Sequence, residues 1–430
     1  MTVRTAIPLS RRRLLQGTAA SVSVAAFAQA LSGCSSDGGI DTGTGGGDGP
    51  SLARLGPLQE ADENGLMLPE GFTATAIATA NRLVPGTNLL WHTDPDGGAT
   101  YATDDGGWVY VCNREFLPGG VNALRFNAEG EVVDGYNILS GLRSRINCAG
   151  GKTPWNTWLS GEEYGLGSIW ECDPFGEEGA TRLRALGTFK HEAAAVDPAT
   201  NIVYETEDES DGRFYRFIPD SPNVGGRPDL SSGRLQVMRV LIDTDTLGSP
   251  ERDVTSKPFA VDWLDVPNPN PVLGGVLVGT PTREQVPEST RFRGGEGIWY
   301  HNGQIFFTTK SDRRVWAHDI ASESVRVIYD DDWFEEPILD AVDNIVVTPG
   351  GDVVVAEDKS GEQDMVAIRP NGEILHMLRL TGHDASELTG PAFSPDGRHF
   401  FFNSQRGTSA SGPGLGGITY RVTGPWMSPT

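Results

Sequence analysis

The chain has 430 residues, with 58 Asp and Glu against 34 Lys and Arg, a formal charge of −24 and four cysteines. An acid excess on this scale argues against nucleic acid and anionic lipid surfaces as partners, and is compatible with bound cations that relieve repulsion between carboxylates. Four cysteines in so long a chain exclude a disulfide-built scaffold, so the fold must rest on a hydrophobic core.

Near the N-terminus, Ser10-Arg11-Arg12-Arg13-Leu14-Leu15-Gln16 sets paired arginines after a serine and before an apolar run, as the twin-arginine export route requires. Residues 17–30 carry no charge and are too few for a membrane span, which fits the h-region of a signal. Leu31-Ser32-Gly33-Cys34 follows and reads as a lipobox, with Cys34 acylated and left as the new N-terminus. Residues 1–34 are therefore expected to be an export signal. The mature protein is expected at the periplasmic or cell surface, touching the membrane only through its lipid. That route carries folded proteins, which suits a metal centre loaded before crossing. Cys112, Cys148 and Cys172 then remain, enough for one disulfide at most and with one thiol over as a candidate metal ligand.

Residues 35–55, mostly Ser, Asp, Gly and Thr, are expected to form a flexible linker. From 56 to 430 no comparable break occurs. Such a length ordinarily means two domains, but large closed β architectures are the recognised exception. Short apolar runs recur between Gly, Asp, Asn and Pro turns: 107–111, 201–206, 304–309, 352–357 and 398–403 each read as a strand. Phe214-Tyr215-Arg216-Phe217, Val315-Trp316-Ala317-His318 and Met365-Val366-Ala367-Ile368 read as the strand that follows. This recurring pair predicts an all-β chain, a β-propeller with six to eight blades and most simply six. A two-sheet sandwich fits the length poorly.

Propeller blades converge on a central channel, so site residues are to be sought once per blade. Carboxylates recur at strand ends: Glu115, Glu162 with Glu163, Glu192, Glu207 with Asp208, Glu296, Glu357 with Asp358, and Glu387. Singly, each would be a solvated charge. Gathered together they would repel without cations, and oxygen-only clusters suit calcium and other hard ions. No Gly-x-Ser-x-Gly elbow appears, and Gly151-Lys152-Thr153 lacks the upstream glycine of a phosphate loop, Ile146 standing there.

The segment Asn147-Cys148 through Thr153-Pro154-Trp155 to Glu162-Glu163 resembles the most characteristic stretch of the PhoX family of alkaline phosphatases. Cys112-Asn113-Arg114-Glu115, Lys190-His191-Glu192-Ala193-Ala194, Thr206-Glu207-Asp208, Glu296-Gly297-Ile298, Asp343-Asn344 and Glu387-Leu388-Thr389-Gly390-Pro391 are similar to its other segments, in the same order. The resemblance implies a six-bladed propeller whose channel holds ferric and calcium ions and which hydrolyses phosphate monoesters. It further implies Glu162 or Glu163 and Glu296 as iron or bridging ligands, and Glu115, Glu192, Glu207, Asp208 and Glu387 as calcium-side ligands. Asn113 would contact the phosphate, and Arg293 would do so after a one-residue loop shift, since Gly294 and Gly295 stand directly before Glu296. Gly161 stands where members commonly carry a cysteine and Arg114 where they carry histidine, so no cysteine ligand for iron is assigned and a calcium-only site stays open. The partner implied is a phosphate monoester substrate, bound by a monomer. A calcium-dependent lactonase-type hydrolase and a non-catalytic metal-binding surface propeller are the alternatives.

Overall fold

A computed structural model describes residues 49–241, 257–408 and 413–428, all within one compact unit; the expected signal, Cys34 and most of the expected linker lie outside the described residues. The described chain is almost wholly β, relieved by three short 3₁₀ turns, and no helix in it is long and apolar enough to cross a membrane.

The strands form antiparallel meanders set around one axis. Blade 1 is Pro95–Ala102, Trp108–Arg114, Val121–Phe126 and Val132–Leu139; blade 2 is Asn147–Lys152, Trp158–Glu162, Ile169–Cys172 and Thr181–Leu183. Blade 3 is His191–Val196, Val203–Glu207, Phe214–Ser221 and Asp229–Val240; blade 4 is Gly295–His301, Gln304–Thr309, Arg314–Asp319 and Ser324–Asp330. Blade 5 is Val342–Val347, Val353–Glu357, Gln363–Ile368 and Ile374–Leu380, extended at its edge by Leu66–Met67. The last meander, Leu388–Phe393, His399–Ser404 and Ile418–Thr423, takes its fourth strand from the other end of the chain, Thr73–Thr79. The first strands of the meanders touch in a closed circle, 1 to 2 to 3 to 4 to 5 to 6 and back to 1.

The expected all-β propeller therefore stands, with one correction. Four meanders are separate sheets, but blades 3 and 4 are fused into a nine-stranded sheet. The reason is Phe259–Asp265, whose backbone pairs with Asp229–Val240 on one side and Ser324–Asp330 on the other.

The apolar residues fall into six clusters, one between each pair of neighbouring blades. Aromatic rings fill them: Trp108, Tyr110, Phe126 and Phe401 meet between blades 6 and 1, and Phe214, Phe292, Phe307 and Trp316 between 3 and 4. Both faces of an inner strand are therefore buried, and the crowding is greatest at the axis. A Cβ on Gly97 would lie 2.5 Å from Ala149 Cα, and one on Gly297 2.6 Å from Ile345 N, so adjacent first strands can approach only where a side chain is missing.

The expected linker ends earlier than its composition suggests. Leu52 is buried in the cluster between blades 5 and 6, its N–H donates to Asp352 Oδ2 at 2.6 Å, and Ala53 N–H reaches Trp426 O at 2.7 Å.

Candidate metal centre

One local device, repeated around the ring, builds the site. In blades 1 to 5 the pairing of strands one and two opens with a single register partner and then slips: Pro95 faces Arg114, Asn147 faces Glu162, His191 faces Glu207, Gly295 faces Thr309 and Val342 faces Glu357 before the shift. A bulge re-aims the residue within it. Those residues are Asp96, Cys148, Glu192, Glu296 and Asp343, all buried. In blade 6 the slip comes later, after Thr389, and the acid is supplied by Glu387 just before the strand. The second strand exits beside the first, and the residue after its end completes the pair: Glu115, Glu163, Asp208, Lys310, Asp358 and, in blade 6, Gln405 with Arg406.

These side chains surround a cavity of about 100 Å³ lined by Asp96, Glu115, Cys148, Glu163, Glu192, Glu296, Lys310, Asp343, Asp358, Glu387 and Arg406. Four sets of three have ligand atoms within 4.8 Å of one another: Asp96 with Glu115 and Cys148; Cys148 with Glu163 and Glu192; Glu192 with Glu296 and Asp343; Asp343 with Asp358 and Glu387. Cys148, Glu192 and Asp343 each belong to two sets, so the sets form a continuous arc.

The electrostatics are those of a site built for cations. Burial, reinforced by Asp343 and Glu163, pushes Asp96 up to about 7. Burial and mutual repulsion likewise hold Glu115, Glu192 and Glu387 well above the usual carboxylate range. Glu192 Oε1 accepts from Cys148 Sγ at 3.0 Å, while its Oε2 is buried without a hydrogen-bond partner. A buried acceptor with no partner is costly, and a cation is what would satisfy it. Protein cations reach only part of the ring. Lys190 Nζ sits 2.7 Å from Glu163 and 2.6 Å from Asp208, Lys310 Nζ lies 3.0–3.2 Å from Asp358, Glu296 and Asp343, and Arg406 Nη2 donates to Glu387 at 2.9 Å. Carboxylates in this number suit hard ions, and the thiol of Cys148 adds a donor suited to a transition ion.

Of the residues expected from sequence, Glu115, Glu163, Glu192, Asp208, Glu296 and Glu387 come together here. Glu162 and Glu207 do not. Each is the last residue of a second strand, and the two-residue period turns it away from the channel when its successor faces in. Glu162 instead accepts from Arg145 N and Ser168 N at 3.1 Å and from Arg182 Nη2 at 3.2 Å. Glu207 accepts from Arg213 N at 3.1 Å and Tyr215 Oη at 2.9 Å, and Glu357 does the same job in blade 5, holding Asp340 N and Asp364 N. Asn113 is also misplaced as a phosphate contact. It is fully buried, donates to Cys148 O and Ala149 O at 2.9 Å, and accepts from Trp158 Nε1 and Ser160 Oγ, so it rivets blade 1 to blade 2. Arg293 is exposed and not among the lining residues, since it precedes Gly294 and Gly295 on the approach to the strand rather than in the bulge.

Asp96, Lys310, Asp343 and Arg406 were missed as site residues, while Asp358 figures in the sequence only as a strand-end acid and Cys148 only as one of three thiols. Their signal was positional: each stands in the bulge of a first strand or at the exit of a second. No disulfide forms among Cys112, Cys148 and Cys172; all three are free and buried, and Cys148 alone lines the site.

A first prediction concerns the rejected ligand. Replacing Glu162 with Ala orphans two backbone N–H groups behind the site, at about 1–3 kcal/mol each. The melting temperature should fall by several degrees, and metal bound per folded molecule should be unchanged. An unaltered melt would show that these bonds contribute nothing.

Residues 164–331 and 321–407, together more than half of the chain, match the family described as Alkaline phosphatase PhoX. Pseudomonas fluorescens PhoX in complex with vanadate, a transition state analogue, has a similar structure: TM-score 0.67 at 15% identity, over 88% of this chain and 98% of that one. A likeness at that identity carries the propeller fold. Similarity is lower to a streptogramin B lyase (TM-score 0.44, 11% identity, 83% of this chain and 98% of that one) and to a gluconolactonase from Xanthomonas campestris (0.41, 13%, 88% and 95%). No curated protein matches the chain by sequence.

Proposed function

The chain belongs to the alkaline phosphatase PhoX family, and on that premise we propose that it is an exported, metal-dependent phosphomonoesterase using calcium, with iron at Cys148. The observation that carries the reading is the arc of buried carboxylates around Cys148, with Glu192 Oε2 facing it unpaired. Metal ions held in such an arc would supply charge neutralisation for phosphate oxygens and an activated water, so that no serine or cysteine nucleophile would be needed. Asp96, Glu115, Cys148, Glu163 and Glu192 are the residues that would hold them, while Glu296 and Glu387 already face Lys310 and Arg406. Burial raises the Asp208 carboxyl, but the Lys190 ammonium beside it outweighs that and holds it below its ordinary range, so it stays anionic beside Glu163. Arg406, half-buried with one N–H on Glu387, has further donors free to meet a phosphate oxygen. The exposed Arg293 stands outside that contact. The strongly acidic surface suits small anionic esters only where the channel is metal-loaded. Residues 1–34 supply the twin-arginine signal in this reading, and Cys34 the lipid anchor.

The test is release of phosphate from an aryl phosphate by purified protein supplied with calcium and iron. Activity should vanish on chelation and return with the metals. Turnover of lactones with aryl phosphates left intact would favour the lactonase alternative, and no turnover of either, with metal bound, would leave a binding protein.

A further inference from the structure

The six-fold repeat of the site contains one reversal of charge. At the exit of the second strand, blades 1, 2, 3 and 5 carry Glu115, Glu163, Asp208 and Asp358; blade 4 carries Lys310 at the same place. A lysine in an acid's slot would ordinarily turn to solvent, but this one is directed inward. Its Nζ lies 3.1 Å from Glu296, 3.2 Å from Asp343 and 3.0 Å from Asp358. Those three acids belong to the two ligand sets on the blade 4–6 side of the arc, and the fourth acid there, Glu387, is held by Arg406. Each carboxylate on that side thus has a protein cation. The other side differs: Asp96 and Glu115 share the neutral amide of Gln405, Asp96 accepts besides from Gly97 N at 2.6 Å, and Glu192 has the thiol of Cys148 on one oxygen and nothing on the other.

We propose that Lys310 is a built-in cation that takes the place of a metal ion among Glu296, Asp343 and Asp358, confining bound metal to the Cys148 side of the channel. The inference rests on the metal-dependent reading above and specifies how many ions that reading allows. An ammonium group and a divalent ion compete for the same oxygens: with three carboxylates at 3.0–3.2 Å from Nζ, a metal that needs oxygens at about 2.3–2.6 Å cannot bind them without expelling the lysine. Unlike a metal, a lysine is covalently attached and needs no loading. On the Cys148 side Asp96, Glu115, Glu163 and Glu192 keep oxygens that no lysine fills except at Glu163, where Lys190 approaches from the Asp208 side. The two halves of the ring would then divide the work, one gripping metal and the other holding a fixed positive charge beside it. Glu192, shared between the halves, sets the boundary.

Lys310→Met keeps the length of the side chain and removes its charge and donors. Equilibrated with calcium and freed of excess, the variant should carry one more divalent ion per chain by elemental analysis than wild type. Lys310→Arg, which keeps the charge, should carry the wild-type number. Equal, non-zero metal content in wild type and Lys310→Met would overturn the proposal alone; no metal in either, with no hydrolysis of aryl phosphate, would overturn the metal-dependent reading with it. If Lys310→Met fails to fold, a crystal of wild type soaked in calcium decides. Nζ should stay in hydrogen-bond reach of Asp343 and Asp358, with calcium found only among Asp96, Glu115, Cys148, Glu163 and Glu192. Calcium bonded to Asp343 and Asp358 would overturn it.

Discussion

Replacing Glu192 with glutamine is expected to remove metal and phosphatase activity together, by about 100-fold or more in turnover at fixed metal supply. Glu192 is the vertex at which two ligand sets meet, one with Cys148 and Glu163 and one with Glu296 and Asp343. The substitution keeps the shape of the side chain, so the inner strand of blade 3 and its bulge should survive. What changes is the charge, and that one of the two oxygens becomes an NH₂ that repels a cation. Loss of a residue that merely orients a metal ligand costs 10–100-fold, as a rule of thumb, so loss of a ligand shared by two sets should exceed that. Elemental analysis and steady-state kinetics on the same preparation check it. A variant with full metal and full activity would remove Glu192 from the site.

Exhaustive chelation should lower the melting temperature by roughly 3–5 °C. A ligand bound only by the native state, present at a hundred times its dissociation constant, contributes about 2.7 kcal/mol, and a domain of about 375 residues, with about 2.1 cal/mol/K of unfolding entropy per residue, shifts by about 1–2 °C per kcal/mol. The metal-free protein should also acquire a distinctive pH dependence. Asp96 ordinarily titrates near 4 but is pushed up to about 7 in the fold, so the native state holds this proton more tightly than the unfolded chain does. The resulting stabilisation is complete below about pH 4 and is lost as the pH rises to about 7. Metal-free protein should therefore melt progressively lower between pH 4 and 7. Bound metal, which favours the ionised form, should flatten or reverse that trend. Thermal melts across this range with and without calcium decide it; identical profiles would mean that the channel holds no ion.

The sequence showed the propeller through its second and third strands. The runs at 107–111, 201–206, 304–309, 352–357 and 398–403 all fall on second strands, and those at 214–217, 315–318 and 365–368 on third strands. These carry β-branched and aromatic residues because they fill the clusters between blades. The first strands of blades 1 to 3 left no such mark. Pro95–Ala102 reads PDGGATYA, Asn147–Lys152 NCAGGK and His191–Val196 HEAAAV. At the axis there is little room for large side chains, so these three strands are written largely in glycine, alanine and polar residues, the vocabulary of turns. The same compression hid Asp96 inside a segment that looks like a loop. It also made Glu162 and Glu163 equivalent in sequence, although one holds backbone amides and the other faces the channel.

The circle is sewn shut by backbone pairing between the two ends of the described chain. Thr73–Thr79 lies against Ile418–Thr423, and Trp91 Nε1 donates to Thr419 Oγ1 across 328 residues. A chain lacking these strands is therefore a row of blades with both flanks bare, presenting unpaired edge groups and an uncovered apolar face until Ile418–Thr423 is in place. The ligand arc draws on the first blade and the last, so the cavity has its full complement of donors only after that seam closes. A full set of ligands is thus a property of the closed ring and of no smaller part of it.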